Sequence, residues 1–164
     1  AGETELALLY DSDLSDGLSV DMIAELKPYV LLAPEHELAG KAELRPADLA
    51  DQPMVLLNAP PSRDYFQSIL RNAGVEPLVA FRSTSFEMVR GMVAHGLGYA
   101  LLATKPASAM SYDGRALITR PLVADARTSR VVLVGRKGMR LSEIATEFGD
   151  ICRRSVGCGD DPPV

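Results

Sequence analysis

The chain has 164 residues, 47% of them hydrophobic, and a formal net charge of −5. That is enough for one domain or two small lobes with a buried core. The negative charge argues against gripping a nucleic-acid backbone, the lack of an apolar run of about 18 residues argues against a membrane span, and two cysteines, Cys152 and Cys158, are too few for a disulfide scaffold. The first ten residues show neither a basic start nor a cleavage site, so a cytoplasmic location is expected.

In chain order, "ELALLY" (5–10) reads as a buried strand ending in the turn-rich "DSDLSDG". "YVLLA" (29–33) is a second strand closed by Pro34, "PADLADQP" (46–53) a short helical connection, and "MVLL" (54–57) a third strand. After "NAPPS" the spacing of Tyr65, Phe66, Ile69, Leu70 and Ala73 predicts a helix, with Gly74 as its C′ residue and Pro77 blocking continuation. "LVAF" (78–81) is a fourth strand. A second helix carries Phe86, Val89, Met92 and Val93 on one side and ends at Gly96. "YALL" (99–102), "ALITRPL" (116–122) and "RVVLV" (130–134) are further strands. A last helix places Leu141, Ile144, Ala145, Phe148, Ile151 and Cys152 on one apolar face, and the tail "GCGDDPPV" (157–164) reads as disordered.

From 54 to 102 strands and helices alternate, which predicts a parallel sheet with crossover helices. Ligands in such sheets sit at the carboxyl ends of strands, near helix N-termini. Two turns fall there, "NAPPSRDY" (58–65) and "RSTSFE" (82–87). In the second, Thr84 as N-cap and Glu87 at N3 fit a capping box. Ser83, Ser85 and the first helical N–H groups are then free to hold a carboxylate or phosphate, unless the turn serves as a cap alone. In the first, Ser62 is the expected N-cap, and Arg63 is either a fork-shaped partner for a carboxylate or a solvated surface arginine.

Elsewhere the structural readings win. Asp11, Asp13 and Asp16 suggest a metal loop, but Met22 stands where an EF-hand needs glutamate. Gly96 and Gly98 end a helix and do not open one, so they make no dinucleotide fingerprint. His36 and His95 have no nucleophile in triad order, and no P-loop, G-x-S-x-G or H-E-x-x-H occurs. No catalytic residue, metal or cofactor is expected, and the chain does not read as an enzyme.

Five stretches, in this order, resemble the effector-binding domain of LysR-type transcriptional regulators: "GETELALLY", "AELKPYVLLAPEHELAG", "LADQPMVLL", "SFEMVRGMVAHGLGYALLATKP" and "RVVLVGRKGMRLSEIATEF", with Glu37 where the family usually has proline. The resemblance implies an α/β, two-lobed type 2 periplasmic-binding-protein-like fold with an inter-lobe effector cleft. Lobe I would take 1–45 and 124–156 and be incomplete; lobe II would take 46–123. It places Ser83, Thr84, Ser85 and Phe86 at the effector pocket, with Ser62 and Arg63 at the neighbouring turn. It further implies a ligand-sensing module whose DNA contact comes from an N-terminal helix-turn-helix absent here, and a homodimer or homotetramer that uses the 62–73 helix. The hydroxyl-rich turns lean towards a small carboxylate effector. A periplasmic solute-binding protein of the same fold is the alternative, and an upstream helix-turn-helix or signal peptide would separate the two.

Overall fold

Residues Tyr29–Leu32 form a strand buried at every position in the computed structural model, which describes residues 4–11, 14–60, 62–125 and 128–156. A strand apolar on both sides belongs to a sheet covered on both faces. Val30 and Leu32 enter one core with Leu56, Phe66, Ile69 and Leu70, whereas Tyr29 and Leu31 enter a second with Val55, Val89 and Val93.

The elements are β1 (Leu6–Tyr10), β2 (Leu18–Leu26), β3 (Tyr29–Leu32), β4 (Pro53–Leu57), α1 (Ser62–Asn72), β5 (Leu78–Ser83), α2 (Phe86–Ala94), β6 (Ala100–Leu102), β7 (Ile118–Pro121), β8 (Ser129–Arg136) and α3 (Glu143–Val156), with short 3-10 turns at Glu37–Gly40 and Pro46–Leu49. The chain divides into two compact units, Ala1–Leu26 with Thr128–Val164, and Lys27–Arg127. The first boundary, expected at 45/46, therefore falls at 26/27, because β3 pairs antiparallel with both β6 and β7. The return, expected at 123/124, falls at 127/128. The expected disordered tail, 157–164, lies outside the described residues.

In the second unit the strands run β5-β4-β6-β3-β7. The expected parallel pairing holds for β4 with β5, and a parallel bridge joins Met54 to Tyr99, but β3 turns the rest antiparallel, so the sheet is mixed. Tyr99 is the join: its N–H donates to the Pro53 carbonyl at 2.9 Å, and its carbonyl accepts from the Val55 N–H at 2.7 Å. Gly98 permits that approach. Its φ is +137°, and a Cβ there would sit 2.0 Å from the Pro53 carbonyl oxygen. Phe66, Ile69 and Leu70 of α1 enter the first core and Val89 and Val93 of α2 the second, so the helices cover opposite faces.

In the first unit β8 lies between β1 and β2, antiparallel to both. β2 was not foreseen, because "LSVDMIAEL" mixes acidic and apolar residues without clean alternation, and a bulge between Met22 and Ala24 shifts its register. α3 packs through Gly149, where a Cβ would lie 3.3 Å from Leu133 Cδ2, and through Arg153, which pairs with Asp21 at 2.7 Å. Two burial expectations fail here. β1 is not a buried strand: Leu8, Leu9 and Tyr10 are exposed. On α3 only Ala145 of the expected apolar face is fully buried; Ile144 is 84% exposed, Phe148 and Ile151 are also exposed, and Cys152 is half-buried. The reason is that α3 meets the sheet over a narrow seam at Ala145 and Gly149, so a stripe wider than that seam stays uncovered.

Two outcomes follow. Gly98→Ala should lower stability by more than about 2 kcal/mol, from strain at positive φ plus the clash with Pro53, read as a fall in Tm. His36 Nδ1 accepts from the Leu38 N–H at 3.2 Å, and burial holds its pKa below the ordinary 6.5, the charge of Glu37 acting in opposition. A depressed histidine pKa contributes stability that is complete above 6.5 and is lost as pH falls through the folded pKa. His36→Asn keeps a capping acceptor without titrating, so its Tm should fall less than the parent's between about pH 7.5 and 5. Parallel pH profiles for the two proteins would remove His36 from this role.

Candidate functional site

Because β4 and β5 are parallel neighbours, their carboxyl ends lie side by side, and the Asn58 N–H donates to the Ser83 carbonyl at 2.8 Å. Residues 58–60 and 83–85 are thus brought together ahead of α1 and α2, as the alternation of elements required.

The roles within the second turn differ from those expected. Ser85, not Thr84, is the N-cap of α2: it has φ −89° and ψ 122°, and its Oγ accepts from the Met88 N–H at 3.3 Å. Met88 is therefore at N3, and Glu87 makes no capping box. The cause is a tighter preceding turn, in which Ser83 Oγ accepts from the Ser85 N–H at 3.1 Å and delays the helix start by one residue. The Thr84 side chain is exposed and has no hydrogen-bond partner among the described residues. A helix start leaves its first N–H groups without intrahelical partners; Ser85 takes that of Met88, and those of Phe86 and Glu87 have none among the described residues. Phe86 is half-buried against the second core.

Glu87 is instead one end of an ion pair, with Arg90 Nε 3.1 Å from its Oε1. Arg90 is buried, and its Nη2 donates to the carbonyls of Ser108 (2.9 Å) and Met110 (2.6 Å) while the guanidinium lies 5.9 Å from the Phe86 ring. Its Nε makes no well-directed hydrogen bond, so the contact with Glu87 is one of charge alone. Arg90 thereby ties the segment 108–110 to α2. No sequence motif marks it, and only its place among Val89 and Val93 on the inward side of the helix could have flagged it.

At the first turn, Ser62 is the first residue of α1 and not its cap. Arg63 does meet a carboxylate in fork geometry, but that of Asp64, at 2.9 and 3.1 Å. The hydrogen bond from Arg63 holds the Asp64 carboxyl below the usual range. The cation that remains unpaired near the turns is Arg82, exposed at the end of β5 and without an ion-pair partner among the described residues. It was legible as a basic residue in "RSTSFE" but carried no spacing signal.

The chain belongs to the LysR substrate-binding domain family, whose model matches residues 1–157. It is similar to a putative LysR family transcriptional regulator from Pseudomonas aeruginosa, with 38% identity and a TM-score of 0.86 over 95% of this chain and 55% of that one. It is also similar to the C-terminal domain of a probable LysR family regulator from Rhodococcus sp. RHA1, with 36% identity and a TM-score of 0.82 over 96% of this chain and 76% of that one. The HTH-type transcriptional regulator MetR of Salmonella typhimurium is 26% identical over 148 residues, 90% of this chain and 46% of MetR. The chain thus spans about half the length of the curated relatives it matches. Among the described residues no helix is long and apolar enough to cross a membrane.

The cap assignment is open to direct measurement. Ser85→Ala should cost about 1 kcal/mol, the usual loss on removing a cap, and Thr84→Ala should stay within about 0.5 kcal/mol of the parent. Thermal melts of both variants decide it, and the reverse ranking would return the cap to Thr84.

Proposed function

We propose that this chain is the effector-sensing domain of a LysR-type transcriptional regulator and that the 83–86 turn holds one end of a small anionic effector. The observation that carries the reading is the pairing of two polar turns at the carboxyl ends of β4 and β5, with Thr84 and two N–H groups of α2 unpartnered among the described residues. A helix N-terminus favours an anion through its unpaired N–H groups and dipole. Arg82 adds positive charge, while Arg90 offsets the charge of Glu87. Phe86 supplies an apolar wall, and Ser62 and Arg63 flank the opposite turn, Arg63 becoming available only by leaving Asp64.

The solved structures of this fold include the BenM effector-binding domain with its effector benzoate (TM-score 0.77, 19% identity) and that of QuiR with shikimate (TM-score 0.74, 15% identity). At these identities the likeness is one of fold, and the carboxylate class is carried to this chain as part of the proposal. Effector binding would bias the regulator between conformations and so act on DNA through a helix-turn-helix outside this chain, within a cytoplasmic homodimer or homotetramer. The matched relatives are named as transcriptional regulators, and nothing in them favours a solute-binding protein.

A thermal-shift screen of small carboxylates, with benzoate and shikimate as the first probes, should identify one that stabilises the protein. For that ligand Thr84→Ala should weaken binding by about 1.5–3 kcal/mol, roughly ten- to a hundredfold, as for loss of a hydrogen bond to a charged group. Calorimetry provides the measurement. Parent-like affinity in Thr84→Ala, Ser83→Ala and Arg82→Gln alike would leave the turn as a helix start only, and a screen in which no carboxylate stabilises the protein would remove the anionic assignment.

A further inference from the structure

We infer that the outer side of α2 carries a second binding site, for an uncharged, apolar small molecule with an aromatic body. A groove of about 470 Å³ at the helix is lined by Met88, Met92, His95, Leu97, Tyr112 and Asp113. That volume lies within the usual range for small-molecule sites, about 300–1,000 Å³. The site is distinct from the anion reading of the 83–86 turn and does not rest on it: Thr84 is not among the groove's lining residues, and the Oγ of Ser85, which is, is occupied with the Met88 N–H.

Gly91 is the observation that asks for an occupant. It sits in the interior of α2 and lines the groove, its φ is not positive, and a Cβ built on it meets nothing within 4 Å. Glycine weakens a helix interior relative to alanine, and neither a turn nor a close packing partner accounts for it here. A bare stretch of helix backbone in a groove is what allows a flat molecule to lie directly on the helix. The walls suit such a molecule. Met88 and Leu97 are exposed, Tyr112 is 95% exposed, and methionine side chains adapt to irregular apolar shapes. Arg90, through its bonds to Ser108 and Met110, ties to α2 the segment that leads into Tyr112 and Asp113.

Charge selects the class of occupant. The ionisable groups around the groove are engaged within the chain: Glu87 pairs with Arg90 at 3.1 Å, and Asp113 pairs with Arg115 at 3.8 Å, lies 2.8 Å from His95 Nε2 and accepts from the Ser111 hydroxyl at 2.5 Å. A charged ligand would find no free counter-charge and would have to break one of these pairs, whereas an uncharged one leaves them intact.

The test uses two fluorophores with the same ring systems, uncharged N-phenyl-1-naphthylamine and anionic 1-anilinonaphthalene-8-sulfonate. The chain should bind the uncharged probe saturably, with chemical-shift changes at the methyl groups of Met88 and Met92 in ¹³C-methyl-methionine spectra and none at Met22 or Met139. Gly91→Ala should keep this binding and raise Tm, since it strengthens the helix and leaves the groove open. Gly91→Leu should keep the parent Tm or better and lose affinity by about tenfold or more, a change of about 1.4 kcal/mol. Parent-like affinity in Gly91→Leu, shifts confined to methionines away from α2, or equal affinity for the anionic probe at the Met88 and Met92 signals would each overturn the assignment. So would a loss of self-association in Gly91→Leu, seen by sedimentation, with probe affinity unchanged, because the groove would then belong to a second copy of the chain.

Discussion

The second unit depends on one contact, the approach of the Gly98 backbone to the Pro53 carbonyl. Only a residue without a Cβ fits there, since an added carbon would lie 2.0 Å from the oxygen. With Gly98 in place, Tyr99 exchanges hydrogen bonds with Pro53 and Val55 and welds the parallel pair β4–β5 to the antiparallel set β6-β3-β7. The resulting sheet can bury both faces, which is why a strand as short as β3 feeds two cores. The Tyr99 side chain bears the consequence: its hydroxyl is fully buried with no hydrogen-bond partner among the described residues, and burial pushes its pKa upward.

The same sheet sets where the two helices open. A parallel β4–β5 pair whose helices cover opposite faces brings the ends of both strands to one edge, where the Asn58 N–H meets the Ser83 carbonyl although the two are not close in sequence. The helix that opens at the second turn then has two distinct sides. Val89, Val93 and Arg90 face inward, Arg90 as a buried clamp on the segment 108–110, while Met88, Gly91 and Met92 border the outer groove. A single 9-residue helix, Phe86–Ala94, thus ties together a cap, a buried cation and a groove.

The first unit is held differently. Its three-stranded sheet is covered on one side along the seam of Ala145 and Gly149, and the ion pair of Arg153 with Asp21 closes the end of that seam. Strand alternation places Leu9, Val20 and Met22 in the opposite phase, and these side chains are exposed. A narrow helix contact on a small sheet leaves more apolar surface open than the same composition would leave in the second unit, where the sheet is covered on both faces.

The periodicities that are local in origin were determined by the sequence itself. The helical spacing of Phe66, Ile69 and Leu70, the uninterrupted apolar run at 29–32 and the glycine and proline stops at 74 and 77 each act within a few residues, and each element formed where these residues place it. The ordered set of stretches that resembles LysR-type effector-binding domains was legible for the same reason, because it is a succession of local patterns. What the tertiary structure alone decided was pairing. β2 emerged because β8 supplied partners for an acidic, irregular segment, and residues 27–45 joined the second unit because β3 found β6 and β7. The cap moved from Thr84 to Ser85 because the Ser83 hydroxyl took the Ser85 N–H, a choice between adjacent hydroxyls that spacing cannot resolve. Arg63 went to Asp64 and Arg90 into the core, since the fate of an arginine depends on which carboxylates and carbonyls folding brings within about 3 Å of it, and that distance is not written in the order of residues.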